Sequence, residues 1–238
     1  MYNGKGVRSL PVFFVSLPVM HKTFNILYIH GMGGGGDSRI PSILREYYSD
    51  HPLSPGSVDV ICRTYDFDPE IAHSQINEWV SEIKPDLVIG ESLGALHAMR
   101  IKGIPHIFVS PALNAPFYFE LLAWLSLIPG VTGYFDRKYR PREGDRQPLH
   151  FCHSVLRKYK AHKKAAMSAL AEDLACGNFV HAFFGLRDHY RNSGIVSVKG
   201  WNRLTGGAHS LYEGTHFMED EHIPGLLVPL IDKVLKNR

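Results

Sequence analysis

Residues 86–102 read DLVIGESLGALHAMRIK, and this stretch decides the fold. Its first part, from Asp86 to Gly90, is a short apolar run typical of a strand that is buried on both faces. Its last part, from Ser92 to Lys102, is predicted to be a helix. Between them, Gly90-Glu91-Ser92-Leu93-Gly94 is a G-x-S-x-G pattern at a strand-to-helix turn. This context predicts a sharp turn that presents Ser92 at the end of a strand, and the alternative is an ordinary serine cap of the helix.

Outward from this stretch, strand-like runs alternate with helical runs, as they do in a parallel sheet. Further strands are predicted at residues 26–29, 58–63, 106–110, 179–184 and 210–213. Helices are predicted at 41–50, 69–83 and 224–235. The sequence therefore predicts an α/β fold, in which a mostly parallel sheet is flanked by helices.

Residues 113–176 break this rhythm, because they contain no good strand. They hold an apolar helical piece at 117–127, a charged segment at 137–146 and a long helical stretch at 155–174. We expect this insertion to be a helical cap over the C-terminal edge of the sheet, where open α/β sheets bind ligands. The predicted division is an N-terminal extension (1–23), a core (24–112 and 177–238) and the cap insertion (113–176).

The run His30-Gly31-Met32-Gly33-Gly34-Gly35-Gly36 follows the first clear strand. A serine nucleophile needs backbone N–H groups to hold an oxyanion, and a glycine loop can supply them. The expected donors are Leu93, next to the nucleophile, and Met32, with Gly33 as the alternative to Met32. The loop also fits the dinucleotide pattern G-x-G-x-x-G. A P-loop is disfavoured because Asp37 stands where that motif needs a lysine.

A serine nucleophile also needs a base, and the base needs an acid that orients it. In the order Ser–Asp–His, Asp188 and His216 are the candidates, because each follows a predicted strand and so lies at the same edge as Ser92. His209 is the competing base, but it precedes its strand. The alternatives are a turn or cap role for Asp188 and a buried polar role for His216.

Composition excludes several classes of protein. The chain has 238 residues and a formal net charge of +3, which is too small to indicate a nucleic-acid partner. No apolar run is long enough for a membrane span. Cys62, Cys152 and Cys176 are far apart, so we expect no disulfide framework, no metal site and a cytoplasmic protein.

The first twenty residues include an apolar stretch, Leu10 to Met20, preceded by Lys5 and Arg8. Pro11 and Pro18 interrupt it, and no small-residue cleavage site follows, which disfavours a signal peptide. We expect a surface extension, with Met20 as an alternative start.

Together, the glycine loop, the elbow at Ser92, Asp188 and Gly214-Thr215-His216 resemble the α/β-hydrolase superfamily over about residues 24–238. The resemblance is closest to its small bacterial carboxylesterases. It implies a Ser92–His216–Asp188 triad and no cofactor. We expect a small-molecule ester as substrate, with a short or medium acyl chain because bulky side chains of the cap would exclude longer ones. A thioesterase, an amidase or a non-catalytic binding protein are the alternatives, and the sequence leaves the oligomeric state open.

Two further expectations concern the pocket. Glu91, beside the nucleophile, either faces away from the pocket or disfavours anionic acyl groups. The apolar piece Phe117 to Leu127, including Trp124, is expected to line part of the acyl pocket, and the alternative is a plain core helix.

Overall fold

The computed structural model describes residues 22–54, 56–141 and 143–238, and the predicted N-terminal extension therefore lies outside the described residues except for Lys22 and Thr23. Thr23 already belongs to the first strand, where it pairs with Ser57. The strands are β1 (Thr23–Ile29), β2 (Ser57–Cys62), β3 (Leu87–Glu91), β4 (His106–Val109), β5 (Val180–Gly185) and β6 (His209–Tyr212). They form one sheet in the order β2-β1-β3-β4-β5-β6.

Nine α-helices connect and flank these strands in the described part of the chain. They are α1 (Arg39–Asp50), α2 (Pro69–Ile83), α3 (Gly94–Ala98), α4 (Ala115–Leu125), α5 (Val131–Lys138), α6 (His153–Ala175), α7 (His189–Asn192), α8 (Val198–Thr205) and α9 (Val228–Lys236). A π-helical turn, Ile223–Leu227, leads directly into α9. None of the described helices is both long and apolar enough to cross a bilayer.

Every pair of neighbouring strands is parallel, which confirms the predicted fold class. The chain leaves β1 for β2 on one side, then returns to β3 on the other side. Such a reversal of direction opens a crevice at the C-terminal ends of the two central strands. Ile29 is paired with Gly90 at that point, so the loops that follow β1 and β3 start side by side.

Both faces of the sheet are buried, and successive residues of each strand alternate between them. In β1, Leu27 and Ile29 join the apolar cluster beneath α2, α3, α6 and α8. Ile26 and Tyr28 join a second cluster beneath α1 and α9. This arrangement explains why the strands are continuous apolar runs rather than alternating ones.

Helix α6 belongs to the layer that covers one face of the sheet. Its buried residues Leu156, Tyr159, Ala166 and Leu170 are part of the same cluster as Leu27 of β1. The division of the chain into core and cap stays a prediction. Within 113–176, only α4, α5 and the segment that leads to α6 remain to cover the sheet edge.

Local differences from the predicted elements have clear causes. Helix α3 ends at Ala98 instead of Lys102, because the next N–H groups, from Arg100 and Ile101, bond to the carbonyl three residues back and tighten the turn. Helices α7 and α8 were not predicted. Yet Ser197 caps the first turn of α8, and Gly206 ends it with φ 71°, which are ordinary helix boundary signals.

Besides His216, four histidines are buried in the described part of the fold: His30, His97, His106 and His162. Burial lowers the pKa of His106 to about 4, although Asp173 partly opposes this. Burial likewise lowers the pKa of His30 to about 4 and that of His162 to about 3. Burial lowers the pKa of His97 well below its usual value, and no hydrogen-bond partner for either of its nitrogens exists among the described residues. These four rings are therefore neutral in the folded state near pH 6.

We predict that stability falls as the pH drops from 6.5 towards 4. The unfolded chain binds protons on these histidines below about pH 6.5, and the folded chain does not, so acid favours unfolding. For a histidine whose pKa falls to about 4, the loss is on the order of 2 kcal/mol by pH 5. The free energy of unfolding, measured by urea unfolding at pH 7.5, 6 and 5, tests this prediction.

The matched variants are His106→Gln and the exposed His51→Gln. The first should flatten the pH dependence of the unfolding free energy, and the second should leave it unchanged. Equal stability of the wild-type protein at pH 7.5 and 5 would show that the buried histidines do accept protons in the folded state.

Candidate active site

Ser92 lies directly after β3, in the crevice between the central strands. Its backbone is left-handed, with φ 50°, which is rare outside glycine and marks a strained turn. Two residues on, Gly94 begins α3 against the end of β1. A Cβ atom on Gly94 would stand 2.2 Å from the carbonyl oxygen of His30, so only glycine lets the two segments approach this closely.

His216 and Asp188 meet Ser92 at the same edge of the sheet. His216 follows β6, and its Nε2 lies 2.8 Å from Ser92 Oγ. Its Nδ1 lies 2.8 Å from Asp188 Oδ2. Because the carboxylate can only accept, Nδ1 carries the proton, which leaves Nε2 free to accept from the serine hydroxyl. The structure thus brings together all three side chains that the sequence singled out.

Asp188 has two partners at once. One carboxylate oxygen accepts the bond from His216, and the other accepts the backbone N–H of Tyr190 at 2.8 Å, which caps α7. The cap role considered for this residue is therefore real, and it fixes the orientation of the carboxylate. The competing base His209 starts β6 at the opposite end of the strand, and its Nδ1 lies 3.1 Å from the carbonyl of Gly207.

The loop that carries His216 is held from both sides. Arg39 of α1 donates to the carbonyls of Phe217 and Met218 and forms an ion pair with Asp220. The ring of Tyr190 stands edge-on to the imidazole of His216, with centroids 4.6 Å apart. These contacts restrict the ring of His216 in the position from which it reaches Ser92.

The glycine loop after β1 folds back on itself and is anchored to a distant segment. The N–H of Gly34 donates to the carbonyl of Gly31, and the N–H of Gly33 donates to Gln147 Oε1 at 3.0 Å. Gly33 is therefore already engaged. The N–H groups of Met32 and Leu93 have no acceptor among the described residues, and both residues line the cavity at Ser92.

Glu91 lines the cavity, so it does not face away from the pocket, which was one of the two alternatives for this residue. Its carboxylate accepts a hydrogen bond of 2.8 Å from the hydroxyl of Tyr28 in β1. Burial raises the pKa of the Glu91 carboxyl, while the bond from Tyr28 and the nearby His216 oppose part of that rise. Burial also raises the pKa of Tyr28, and the charge of Glu91 adds to that effect.

A cavity of about 360 Å³ opens above Ser92. Its polar side contains Ser92, Glu91, His216, Arg39 and Arg146. Its apolar side is formed by Ala112, Ala115, Tyr118, Phe119, Ile195 and Phe217. The arrangement is a hydroxyl, an imidazole and a carboxylate joined by hydrogen bonds, beside an apolar pocket and two backbone N–H groups with no acceptor among the described residues.

The fold is shared with known enzymes. One similar solved structure is a metagenome-derived lipolytic enzyme, with a TM-score of 0.55, 14% identity, and coverage of 91% of this chain and 94% of that chain. Another belongs to work on carboxylesterases of the thaumarchaeon Nitrososphaera gargenis, with a TM-score of 0.51, 14% identity, and coverage of 90% and 92%. This chain has the α/β-hydrolase fold. The sequence matches no family model and no curated protein.

Within this α/β-hydrolase fold, the apolar piece at 117–127 lines part of the cavity, but Trp124 does not take part. Tyr118 and Phe119 of α4 do line the cavity, but Phe117, Leu121 and Trp124 do not. Trp124 is 60% exposed and its indole lies edge-on to His153. The piece is therefore neither a plain core helix nor a complete pocket wall, because only its first turn reaches the site.

Several contributors to the site escaped the sequence analysis. Gln147 lies 114 positions from the loop that it anchors, and Tyr28 is one apolar-looking residue in a buried strand. Tyr190 follows Asp188 by two positions, and its proximity to a candidate acid was an available signal. In the described ranges, no group of three or more His, Cys, Asp or Glu side chains is arranged to hold a metal ion.

Proposed function

We propose that this protein is a serine hydrolase that cleaves carboxylic esters of short or medium acyl chains through an acyl-enzyme intermediate. The observation that carries the proposal is the continuous hydrogen-bond chain from Ser92 Oγ through His216 to Asp188, with both links at 2.8 Å. The two structural neighbours, from work on carboxylesterases and on lipolytic enzymes, support ester hydrolysis as the proposed reaction class.

In the first step, Ser92 Oγ attacks the ester carbonyl carbon while His216 Nε2 accepts the hydroxyl proton. The C=O π electrons move to the carbonyl oxygen, which the N–H groups of Met32 and Leu93 stabilise. Asp188 holds the imidazolium by its Nδ1–H. When the tetrahedral intermediate collapses, the alkoxide leaves and takes the proton from His216, and the acyl group stays on Ser92.

In the second step, His216 accepts a proton from water, and the hydroxide attacks the acyl carbon. The carboxylic acid leaves, and Ser92 recovers its proton from His216. Met32, rather than Gly33, is proposed as the second oxyanion donor because the Gly33 N–H is already bonded to Gln147. The residues in these roles are all supplied by loops at one sheet edge, so no cofactor is needed for the proposed steps.

The cavity supports a limit on acyl length. A volume of about 360 Å³ lies near the lower end of the range of about 300–1,000 Å³ for small-molecule sites. Its apolar side suits an alkyl chain, and Glu91 in the wall disfavours a carboxylate on the acyl group by like-charge repulsion.

Free thiols at Cys62, Cys152 and Cys176 support a reducing, cytoplasmic compartment as part of the proposal.

We predict that Ser92→Ala lowers kcat by about 10⁴–10⁶ without changing the thermal unfolding midpoint. A fluorophosphonate probe should label the wild-type protein at Ser92 and should not label the variant. The control is Ser110→Ala, since Ser110 also has left-handed backbone, with φ 46°, at the end of the neighbouring strand, and does not line the cavity. Labelling of Ser92→Ala at wild-type level would reject the proposed nucleophile, and an unlabelled wild-type protein would favour a binding role.

We predict that His216→Ala loses nearly as much activity as Ser92→Ala, whereas His209→Ala stays within a few-fold of wild type. The base is lost in the first variant, while His209 lies at the other end of β6. Hydrolysis of nitrophenyl butyrate measures both. Reversed phenotypes would show that the base was assigned to the wrong residue.

We predict that Tyr118→Ala shifts the chain-length preference towards longer acyl groups. Tyr118 lines the cavity, and removing its ring opens the apolar side, where each methylene contributes about 1–3 kcal/mol to discrimination. The measurement is kcat/KM for nitrophenyl esters from acetate to laurate, with the exposed Trp124→Ala as the matched control. The proposed pocket is wrong if both variants keep the wild-type dependence of kcat/KM on acyl length. Thioester and anilide substrates, assayed in parallel, test the alternative reactions.

A further inference from the structure

Helix α4, the turn after it and the start of α5 expose large apolar side chains, which we name the α4 strip. Phe117 is 69% exposed, Leu121 62% and Trp124 60%. The strip consists of Phe117, Leu121, Trp124, Leu125, Leu127, Ile128 and Tyr134. From Leu121 to Phe135 the sequence contains no Asp, Glu, Lys, Arg or His, so the strip is an uncharged surface.

This surface is not the solvent face of an ordinary helix. Helix α4 already buries one apolar face, at Ala115, Pro116, Phe119 and Ala123, yet its opposite face is apolar as well. On α2, by contrast, the outer face carries polar residues such as Glu70, Asn77 and Glu78. Phe117, Leu121 and Trp124 are neighbours on one helix face because they are spaced by four and three positions. Exposed apolar surface of this kind marks a binding site for a partner or a membrane.

The charges around the strip indicate which of these it fits. Lys138 and Arg157 contact the strip, and Arg137 and Arg140 follow its last residue, Tyr134, by three and six positions; none of the four forms an ion pair among the described residues. Two of these cations lie over aromatic rings of the strip: Arg157 is 5.7 Å from the Trp124 ring, and Lys138 is 5.9 Å from the Tyr134 ring.

Two acidic groups lie nearby, and both have partners. Glu120 pairs with Lys160 at 2.8 Å, and Asp136 accepts a hydrogen bond of 2.6 Å from His150, so the four cations outnumber the acidic groups. The border of the strip is therefore net basic. A symmetric contact with a second copy would bring these cations towards those of the other copy, and like charges disfavour that contact.

We propose that the α4 strip docks the protein onto the surface of an anionic lipid bilayer. Leucine, isoleucine, phenylalanine and tryptophan enter the acyl boundary, tyrosine lies at the headgroup level, and the bordering cations contact anionic headgroups. The first turn of α4 lines the cavity at Ser92, so docking would place the bilayer against a helix that forms part of the cavity wall. This inference goes beyond the proposed hydrolase function and does not depend on it, because its readout is binding.

The experiment is co-sedimentation of the full-length protein with vesicles of phosphatidylcholine alone or with 30% phosphatidylglycerol. At 0.1 M NaCl we expect binding to the anionic vesicles and at least tenfold weaker binding to the neutral ones. Raising NaCl to 0.5 M should weaken it, because salt screens the headgroup charges. Trp124 emission should shift to the blue, a change that Trp124→Phe removes.

Three variants test the assignment. Leu121→Ser combined with Trp124→Ser should reduce vesicle binding at least tenfold, and Arg137→Gln combined with Lys138→Gln should reduce it on anionic vesicles only. Ile71→Ser is the matched control, because Ile71 is an exposed apolar residue of α2, 49% exposed, that lies outside the strip. It should bind as the wild type does.

The proposal is overturned if the wild-type protein does not bind anionic vesicles, or if the Leu121/Trp124 variant binds as well as wild type. In the latter case, loss of binding on deletion of residues 1–19 would assign it to that segment instead. If light scattering shows a dimer of the wild-type protein and a monomer of the Leu121→Ser/Trp124→Ser variant, a second copy of the chain would be the occupant of the strip.

Discussion

The contact between Gly94 and the end of β1 is the constraint on which the site depends. A Cβ atom on Gly94 would stand 2.2 Å from the His30 carbonyl oxygen, so the start of α3 and the glycine loop can lie this close only without a side chain there. The parallel pairing of β1 and β3 sets the distance between the two loops, and the left-handed backbone at Ser92 turns the hydroxyl into the gap. Met32 and Leu93 line the same cavity because these two loops are in contact.

A second set of contacts positions Asp188 and His216 beside Ser92. Asp188 and His216 follow β5 and β6, which are separated from Ser92 by β4. Asp188 accepts a hydrogen bond from a backbone N–H at the start of α7, and Arg39 donates to a backbone carbonyl of the loop after His216. Both segments are therefore positioned by hydrogen bonds as well as by packing. Hydrogen bonds of fixed direction define angles as well as distances, which a triad requires.

The sequence was sufficient to predict the parts of this arrangement that depend on local patterns. The sheet class followed from apolar runs at strand spacing, and the grouping of Ser92, Asp188 and His216 followed from one rule about the C-terminal ends of parallel strands. What it missed depends on contacts between distant residues. The apolar positions of α6, such as Leu156 and Leu170, indicate a buried face but not which surface buries it, so the sequence did not reveal that they join the apolar cluster on one face of the sheet.

The same limit applies to single polar residues. Nothing in the local sequence distinguishes Gln147, which directly follows the charged segment at 137–146. Yet its side chain accepts a hydrogen bond from the N–H of Gly33 and donates one to the carbonyl of Tyr65. Tyr28 looks like a core aromatic residue until the register places Glu91 on the next strand. In α8 the reason differs, because the capping signals at Ser197 and Gly206 were present in the sequence and were not used.

The run of four glycines after β1 has a consequence for how this protein can change over evolution. At Gly35 a Cβ atom would stand 1.6 Å from the carbonyl oxygen of Asp145, so the loop is closed against a segment 110 positions away rather than left free to move. A side chain at Gly35 is tolerated only if the backbone at 145–147 moves away, and that movement would release Gln147 from Gly33. The two segments are therefore constrained to diverge together, and substitutions in one are expected to be paired with insertions, deletions or substitutions in the other.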